Sequence, residues 1–210
     1  MKFINTPFIQ SFCLVFTLVC LPLSMFAQND FNNANIDFEG FVKLAQEVQE
    51  VRNERLVDLD AFLEMAKDPN TIILDTRSKE AYDKIHLKGA VHLDFSDFTQ
   101  YKLAKVIPSY KTKVLIYCNN NFTDTFGMTG LTGDGAAFAF KTPPPPPNME
   151  LATLAKRSSP LALNIPTFIT LYGYNYKNLY ELSSSIEVTN PKIQWEGTEA
   201  NRIKKKSFVD

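Results

Sequence analysis

The amino-acid sequence predicts an α/β fold, with a parallel sheet of about five strands and helices on both faces of that sheet. Two short apolar runs, residues 71–74 and 113–117, are typical of strands that are covered on both sides. Segments with helical spacing of apolar residues separate such runs, and this alternation is typical of parallel sheets. The chain has 210 residues, 45% of them hydrophobic, which is enough for a single core.

The N-terminus has the layout of a secretory signal peptide. Residues 1–27 combine a basic start, an apolar stretch and small residues that end at Ala27. The apolar stretch is too short to favour a permanent membrane span, so we expect cleavage after Ala27 and export to a periplasm or out of the cell. Cys20 leaves a lipid-anchored form open as an alternative. After cleavage, Cys118 would be the only cysteine, and no intramolecular disulfide could form.

The segment after the signal peptide predicts a disordered leader and then one helix. Residues 28–36 are polar and rich in asparagine. Residues 37–55 follow, and their apolar side chains recur at helical spacing. The apolar positions are Phe38, Phe41, Val42, Ala45, Val48 and Val51.

The next elements alternate between short strands and short helices. Leu56–Val57 is typical of an edge strand, and Asp58 or Asp60 can cap the helix that follows it. A strand at 71–74 precedes a small helix opened by Ser78 or Asp75. The pattern then predicts a strand at 90–93, a helix at 95–103 and a strand at 113–117, in that order.

A long interruption, residues 124–163, separates that last strand from the C-terminal elements. It holds four glycines and the run Pro143–Pro147, and this composition argues against a packed core. We interpret it as a mobile surface insertion, with a role in partner binding or as a lid as the alternative. Residues 166–172 then predict a helix and 178–182 a strand. A C-terminal extension, 187–210, includes Trp195, which the pattern does not place.

Cys118 is the candidate nucleophile. It directly follows the apolar run 113–117 and precedes a polar stretch, so it should lie at the carboxyl end of a buried strand. That position in an α/β protein is a common place for a reactive group. The thiol's chemistry requires its deprotonated form.

Four segments resemble the rhodanese-like domain family. Residues 72–82, with Asp75-Thr76-Arg77, resemble its strand and Asp-x-Arg signature, and residues 85–93, with His86, resemble its Gly-His-Ile-x-Gly-Ala segment. Residues 114–118 resemble its nucleophile strand. Residues 172–182 resemble its closing segment. The resemblance therefore implies a rhodanese-like domain over residues 56–186.

The resemblance also implies an activity and a set of site residues. The family transfers sulfane sulfur through a cysteine persulfide, which here would form on Cys118. Asp75, Arg77 and His86 would border the pocket or support it structurally. The active-site loop would be Asn119, Asn120, Asn121, Phe122 and Thr123, whose backbone N–H groups would hold the negative sulfur.

This loop departs from the family pattern. Asn121 stands where glycine is common, and Thr123 stands where an arginine is common. Asparagine tolerates positive φ, so residues 119–121 could still turn their N–H groups inward. The missing arginine and the displacement of the following helix by the insertion both weaken the expected support for a thiolate. The missing arginine also argues against a cysteine-based phosphatase.

Three functions remain open at this point. The first is a sulfurtransferase that takes sulfur from a small donor and passes it to a thiol or another nucleophile. The second is a catalytically weak rhodanese-like binding module, with a protein partner held through the insertion. The third is a redox protein that uses Cys118 in mixed disulfides. We expect no cofactor, no metal and no nucleic acid, and the net charge of −1 is consistent with the last of these.

Overall fold

The computed structural model describes residues 36–124, 129–132, 138 and 162–204. The predicted signal peptide, nearly all of the leader and the run Pro143–Pro147 lie outside the described residues.

A parallel sheet of five strands forms the centre of the described chain, as the sequence predicts. The strands are β1 Leu56–Val57, β2 Thr71–Asp75, β3 His86–Leu87, β4 Val91–His92, β5 Lys113–Tyr117, β6 Phe122–Thr123, β7 Leu179–Leu182, β8 Ile186–Glu187 and β9 Trp195–Glu196. The order in the sheet is β1-β7-β5-β2-β4, so β1 is an edge strand. Two further pairs are β3 with β9, which is antiparallel, and β6 with β8, which is parallel.

Helices begin at the polar side chains that suit helix N-termini. The Asp58 side chain accepts a hydrogen bond from the Ala61 N–H at 2.8 Å, and Ser78 caps the next helix in the same way. The region predicted as one helix at 95–103 is instead a short 3-10 turn, Phe95–Asp97, followed by a separate helix capped by Thr99. The α-helices are α1 Phe38–Asn53, α2 Leu59–Met65, α3 Lys79–Lys84, α4 Gln100–Val106, α5 Asn164–Gly173 and α6 Ala200–Lys204.

Two hydrophobic clusters cover the opposite faces of the sheet. In β5, Val114 and Ile116 pack with residues of α1, α4 and α5, whereas Leu115 and Tyr117 pack with α2 and the C-terminal elements. This alternation follows from the two-residue repeat of a strand. Helices therefore lie on both faces, which confirms the predicted architecture.

The N-terminal helix is joined to the sheet by a partly buried ion pair. Arg52 of α1 contacts the Glu181 carboxylate of β7 through Nε at 2.5 Å and Nη2 at 2.6 Å. Only 3% of Glu181 is exposed, so the pairing compensates a carboxylate that has been taken out of water. This ion pair thus joins α1 to β7 of the parallel sheet.

Part of the interruption belongs to the core, which corrects the expectation of an unpacked insertion. Leu131 and Phe138 are fully buried, and the Phe138 N–H donates to the Leu131 carbonyl at 2.8 Å. The Phe138 ring centroid lies 4.8 Å from that of Phe122 and 5.4 Å from that of Trp195. These apolar side chains are buried despite the glycine- and proline-rich composition around them. Trp195, which the sequence did not place, completes the same aromatic cluster.

Candidate functional site

Cys118 directly follows β5, and its thiol is buried at the carboxyl end of the sheet. Only 1% of the residue is exposed. The neighbouring strand β2 ends alongside it, because Asp75 pairs with Tyr117 in the sheet register. The thiol therefore lies where the carboxyl ends of the two central strands meet, which is the expected position for a site in such a sheet.

The five residues after Cys118 do not form one loop around the sulfur. Asn119–Asn121 form a single 3-10 turn, in which the Asn121 N–H donates to the Cys118 carbonyl at 3.1 Å and the Phe122 N–H donates to Asn119. Phe122 and Thr123 then leave as β6 and pair with β8. Phe122 is fully buried in the aromatic cluster. Burial of this large apolar ring explains why the chain turns away from the thiol at this residue. Only the first part of the predicted loop thus remains beside the thiol.

The chain returns to Cys118 at the start of α5, on the far side of the insertion. The backbone N–H of Leu163, which precedes this helix, hydrogen-bonds the Cys118 sulfur together with the N–H of Asn119. Further along α5, the Thr167 hydroxyl lies 3.1 Å from the Thr76 hydroxyl at the end of β2. The helix that the insertion displaces in the sequence is therefore next to the thiol in space.

Asn121 joins the two segments that surround the thiol. Its Oδ1 accepts from the Cys118 N–H at 2.9 Å and from Asn164 Nδ2 at 3.0 Å. Its Nδ2 donates to the carbonyl oxygens of Leu182 and Ser184. The residue is only 6% exposed, and each polar atom of its amide has a partner. Asn121 therefore holds the two segments of the site together.

The electrostatic balance at Cys118 favours the neutral thiol. Burial raises the pKa of the thiol above its ordinary value, while the N–H groups of Leu163 and Asn119 and the positive charge of Arg77 act in the opposite direction. The Asp75 carboxylate adds a smaller effect that also raises it. The active-site loop has no arginine, but Arg77 supplies part of the missing positive charge. The negative charge of Asp75 offsets some of this effect.

Asp75, Arg77 and Tyr117 form a buried polar network behind the thiol. Arg77 Nη2 contacts Asp75 Oδ2 at 2.6 Å and the Ile85 carbonyl at 2.6 Å. The Tyr117 hydroxyl donates to the same carboxylate. Arg77 also lies over the Phe138 ring, with Cζ 4.7 Å from the centroid. The network links the ends of β2 and β5 to the insertion.

His86 lies on β3 and has structural contacts. Its Nδ1 is 2.7 Å from the Tyr82 carbonyl, and its ring stacks on Tyr82 at 3.7 Å. Its Nε2 is 3.7 Å from the Glu196 carboxylate of β9. These contacts join the C-terminal strand β9 to β3.

Two carboxamide oxygens in the same region have no hydrogen-bond partner among the described residues. They are Asn119 Oδ1 and Asn164 Oδ1. Asn119 is 7% exposed and Asn164 is 5% exposed. Buried polar atoms in folded proteins are almost always paired, so two unpaired acceptors in the segments that meet at one thiol are an unusual feature of this region. The third such atom among the described residues is Thr71 Oγ1, at the start of β2.

Sequence reasoning missed Leu163, Asn164 and Thr167. The predicted helix began at Pro166, whereas α5 begins two residues earlier. Proline is tolerated in the first turn of a helix, where its missing N–H has no intrahelical partner, so Pro166 was a usable signal that the helix begins just before it. The contact of Leu163 with Cys118, by contrast, joins residues on opposite sides of the insertion, so no local pattern predicts it.

Among residues 36–124, 129–132, 138 and 162–204, no helix has the length and apolar character needed to cross a bilayer.

Comparison with known protein families gives a match over the part of the chain that carries Cys118. Residues 58–129 match the model of the rhodanese-like domain, and this range includes Asp75, Arg77, His86 and Cys118. No curated protein matches the chain.

Proposed function

Because residues 58–129 identify this chain as a member of the rhodanese-like domain family, we propose that it is a sulfurtransferase that carries sulfane sulfur as a persulfide on Cys118. The observation that supports this most directly is the pair of backbone N–H groups, from Asn119 and Leu163, that meet at the Cys118 sulfur. Such N–H groups stabilise a negative charge on an atom in front of them. A persulfide carries its charge mainly on the outer sulfur, which such donors can hold.

The reaction has two displacement steps and no net oxidation. The Cys118 thiolate attacks the outer sulfur of thiosulfate, a new sulfur–sulfur bond forms, and sulfite leaves with the electron pair of the broken bond. An acceptor thiolate then attacks the outer sulfur of the persulfide and regenerates the Cys118 thiolate. A persulfide donor reacts in the same way and releases its own thiolate.

The thiol must lose its proton before the first step. Burial raises the pKa of Cys118, so the thiolate is a minor species at neutral pH. The N–H groups of Asn119 and Leu163 partly offset this cost, as does Arg77. This predicts a slow enzyme at neutral pH whose rate rises with pH.

The test is loading of the purified full-length chain with thiosulfate and, separately, with inorganic polysulfide. We expect one added sulfur atom on the peptide that contains Cys118, and its removal by an acceptor thiol. A Cys118→Ser variant is the control. It keeps Cys13 and Cys20, so any sulfur that it still takes up is bound to one of those two cysteines and not to Cys118. An unloaded Cys118 with every donor would refute the proposal.

A second candidate, a rhodanese-like binding module, is favoured by the burial of the thiol. Cys118 is 1% exposed and its pKa is raised, which suits an inert cysteine as well as a gated nucleophile. The insertion would then hold a protein partner. Under this hypothesis Cys118 stays unloaded, and deletion of residues 139–161 releases a partner that the full chain binds. Retention of that partner by the deletion variant would contradict the insertion's role.

We also propose that the protein is exported, on the basis of residues 1–27. N-terminal sequencing of the protein recovered outside the cytoplasm tests this. A mature chain that begins at Gln28 is the expected result, and a retained Met1 in a cytoplasmic fraction would contradict it.

A further inference from the structure

Asn119 and Asn164 each carry a buried acceptor atom, and they belong to the two segments that meet at the Cys118 thiol. Asn119 follows Cys118 directly and donates its backbone N–H to the sulfur, and Asn164 follows Leu163, which donates the other N–H. The Oδ1 atoms of both asparagines lack a hydrogen-bond partner among the described residues. Each belongs to a side chain more than nine-tenths buried.

The orientation of the Asn164 amide is fixed by Asn121. Asn121 Nδ2 faces two carbonyl oxygens, those of Leu182 and Ser184, so its Oδ1 must be the atom that faces the Cys118 N–H. That oxygen can accept only from a donor, and Asn164 therefore presents Nδ2 to it at 3.0 Å. Asn164 Oδ1 is left as the free end of the amide. Its unpaired state thus follows from the hydrogen-bond network.

These acceptors determine which ligands suit the site. The oxygens of thiosulfate are acceptors only, so this donor gains no hydrogen bond from the unpaired carboxamide oxygens. An ammonium or amide N–H group on the ligand supplies the missing donor. A buried hydrogen bond in which one partner is charged is stronger than a neutral one.

We propose that the Cys118 site recognises sulfur compounds carrying a hydrogen-bond donor, as aminothiol persulfides and aminothiol acceptors do, through Asn164 Oδ1 and Asn119 Oδ1. This rests on the proposed sulfurtransferase activity and names its substrate class. The transfer is a displacement: the Cys118 thiolate attacks the outer sulfur of R–S–S⁻, and R–S⁻ leaves with the bonding electrons. No external oxidant is required.

Recognition of the R group can be measured without sulfane-sulfur transfer, through mixed-disulfide formation. The Cys118 thiolate attacks a symmetric disulfide, forms Cys118–S–S–R and releases R–S⁻. Two probes share a two-carbon chain: cystamine, which ends in ammonium groups, and bis(2-sulfonatoethyl) disulfide, which ends in sulfonates. The rate of adduct formation is followed on the Cys118 peptide of the full-length chain.

The expected result is a ratio of the two rates, cystamine over sulfonate, that depends on the asparagines. Asn164→Ala should lower this ratio about tenfold, and Asn119→Ala should lower it in the same direction. The matched control is Asn178→Ala, at the amino end of β5, where the Asn178 carbonyl accepts from the Val114 N–H. None of these variants changes net charge, so general attraction of a cation stays constant. The control should keep the wild-type ratio.

An unchanged ratio in both Asn164→Ala and Asn119→Ala would overturn the proposal. If one of these variants does not fold, as judged by circular dichroism, the other decides. A ratio that depends on the asparagines in a protein that never forms a persulfide would leave the recognition intact and refute the sulfurtransferase. Persulfide formation with an insensitive ratio would refute only the recognition.

Discussion

Asn121 Oδ1 accepts a hydrogen bond from the Cys118 backbone N–H at 2.9 Å, and this contact fixes the turn that follows the thiol. The same oxygen holds Asn164, from the other end of the insertion, at 3.0 Å. One side chain therefore brings together two segments separated by about forty residues of sequence. The site depends on these Asn121 hydrogen bonds as much as on the strand that precedes Cys118.

Asn121→Ala should destabilise the protein by about 2–3 kcal/mol, because it leaves the Cys118 N–H and the Leu182 carbonyl without their buried partner. Urea unfolding followed by circular dichroism measures the change. Asn178→Ala is the matched control, since Asn178 is only partly buried and its side chain donates to Lys111 near the surface. We expect about 1 kcal/mol or less for the control. Equal losses of unfolding free energy in the two variants would show that Asn121 does not hold the two segments together.

The Cys118 thiol should react slowly at neutral pH. Burial raises its pKa, and the thiolate is the reactive species, so the rate of iodoacetamide modification should keep increasing above about pH 8.5, the ordinary thiol value. The rate is measured on the Cys118 peptide of the native chain, with the urea-unfolded chain as the reference. A rate that is already at its maximum near pH 7 would contradict the proposed environment.

The same shift predicts how stability depends on pH. The folded state holds the Cys118 proton more tightly than the unfolded state, because the folded pKa is raised. Stability from this group is therefore complete below the unfolded value of about 8.5 and is lost as pH rises above it. Cys118→Ala should lose less stability than wild type between pH 8 and 10. Parallel curves for the two proteins would show that the thiol makes no such contribution.

The aromatic cluster gives a test of the insertion's place in the core. Phe138→Ala should cost about 3–5 kcal/mol, because the ring is fully buried between Phe122, Trp195 and Arg77. The same substitution at Phe38, which is 73% exposed, should have little effect. Chemical denaturation of both variants supplies the comparison. A mild effect at Phe138 would show that this part of the insertion does not contribute to the fold.

Local patterns predicted most of the sheet and its helices. The apolar run before Cys118 and the caps at Asp58 and Ser78 depend on neighbouring residues, so they are visible in the sequence. The position of Cys118 at a strand end belongs to this group. The strand β6 was missed, because Phe122–Thr123 is too short to show a pattern and pairs with residues sixty positions away.

The completion of the site could not be predicted in this way. Leu163 and Asn164 lie next to the Cys118 turn although more than forty residues of sequence separate them from it, and no local pattern encodes that contact. Trp195 was equally unplaced, because its partners Phe122 and Phe138 lie far from it in the chain. Loops of this length contain little periodicity from which to derive contacts.

Acceptance of sulfane sulfur by Cys118, within a site built from both segments, can be measured by peptide mapping of the full-length chain after incubation with sulfur donors. We predict one added sulfur atom on the Cys118 peptide in wild type, with less loading in Asn121→Ala, whose two site segments are no longer joined. A Cys118 peptide that stays unmodified with thiosulfate, polysulfide and an aminothiol persulfide alike would contradict the account.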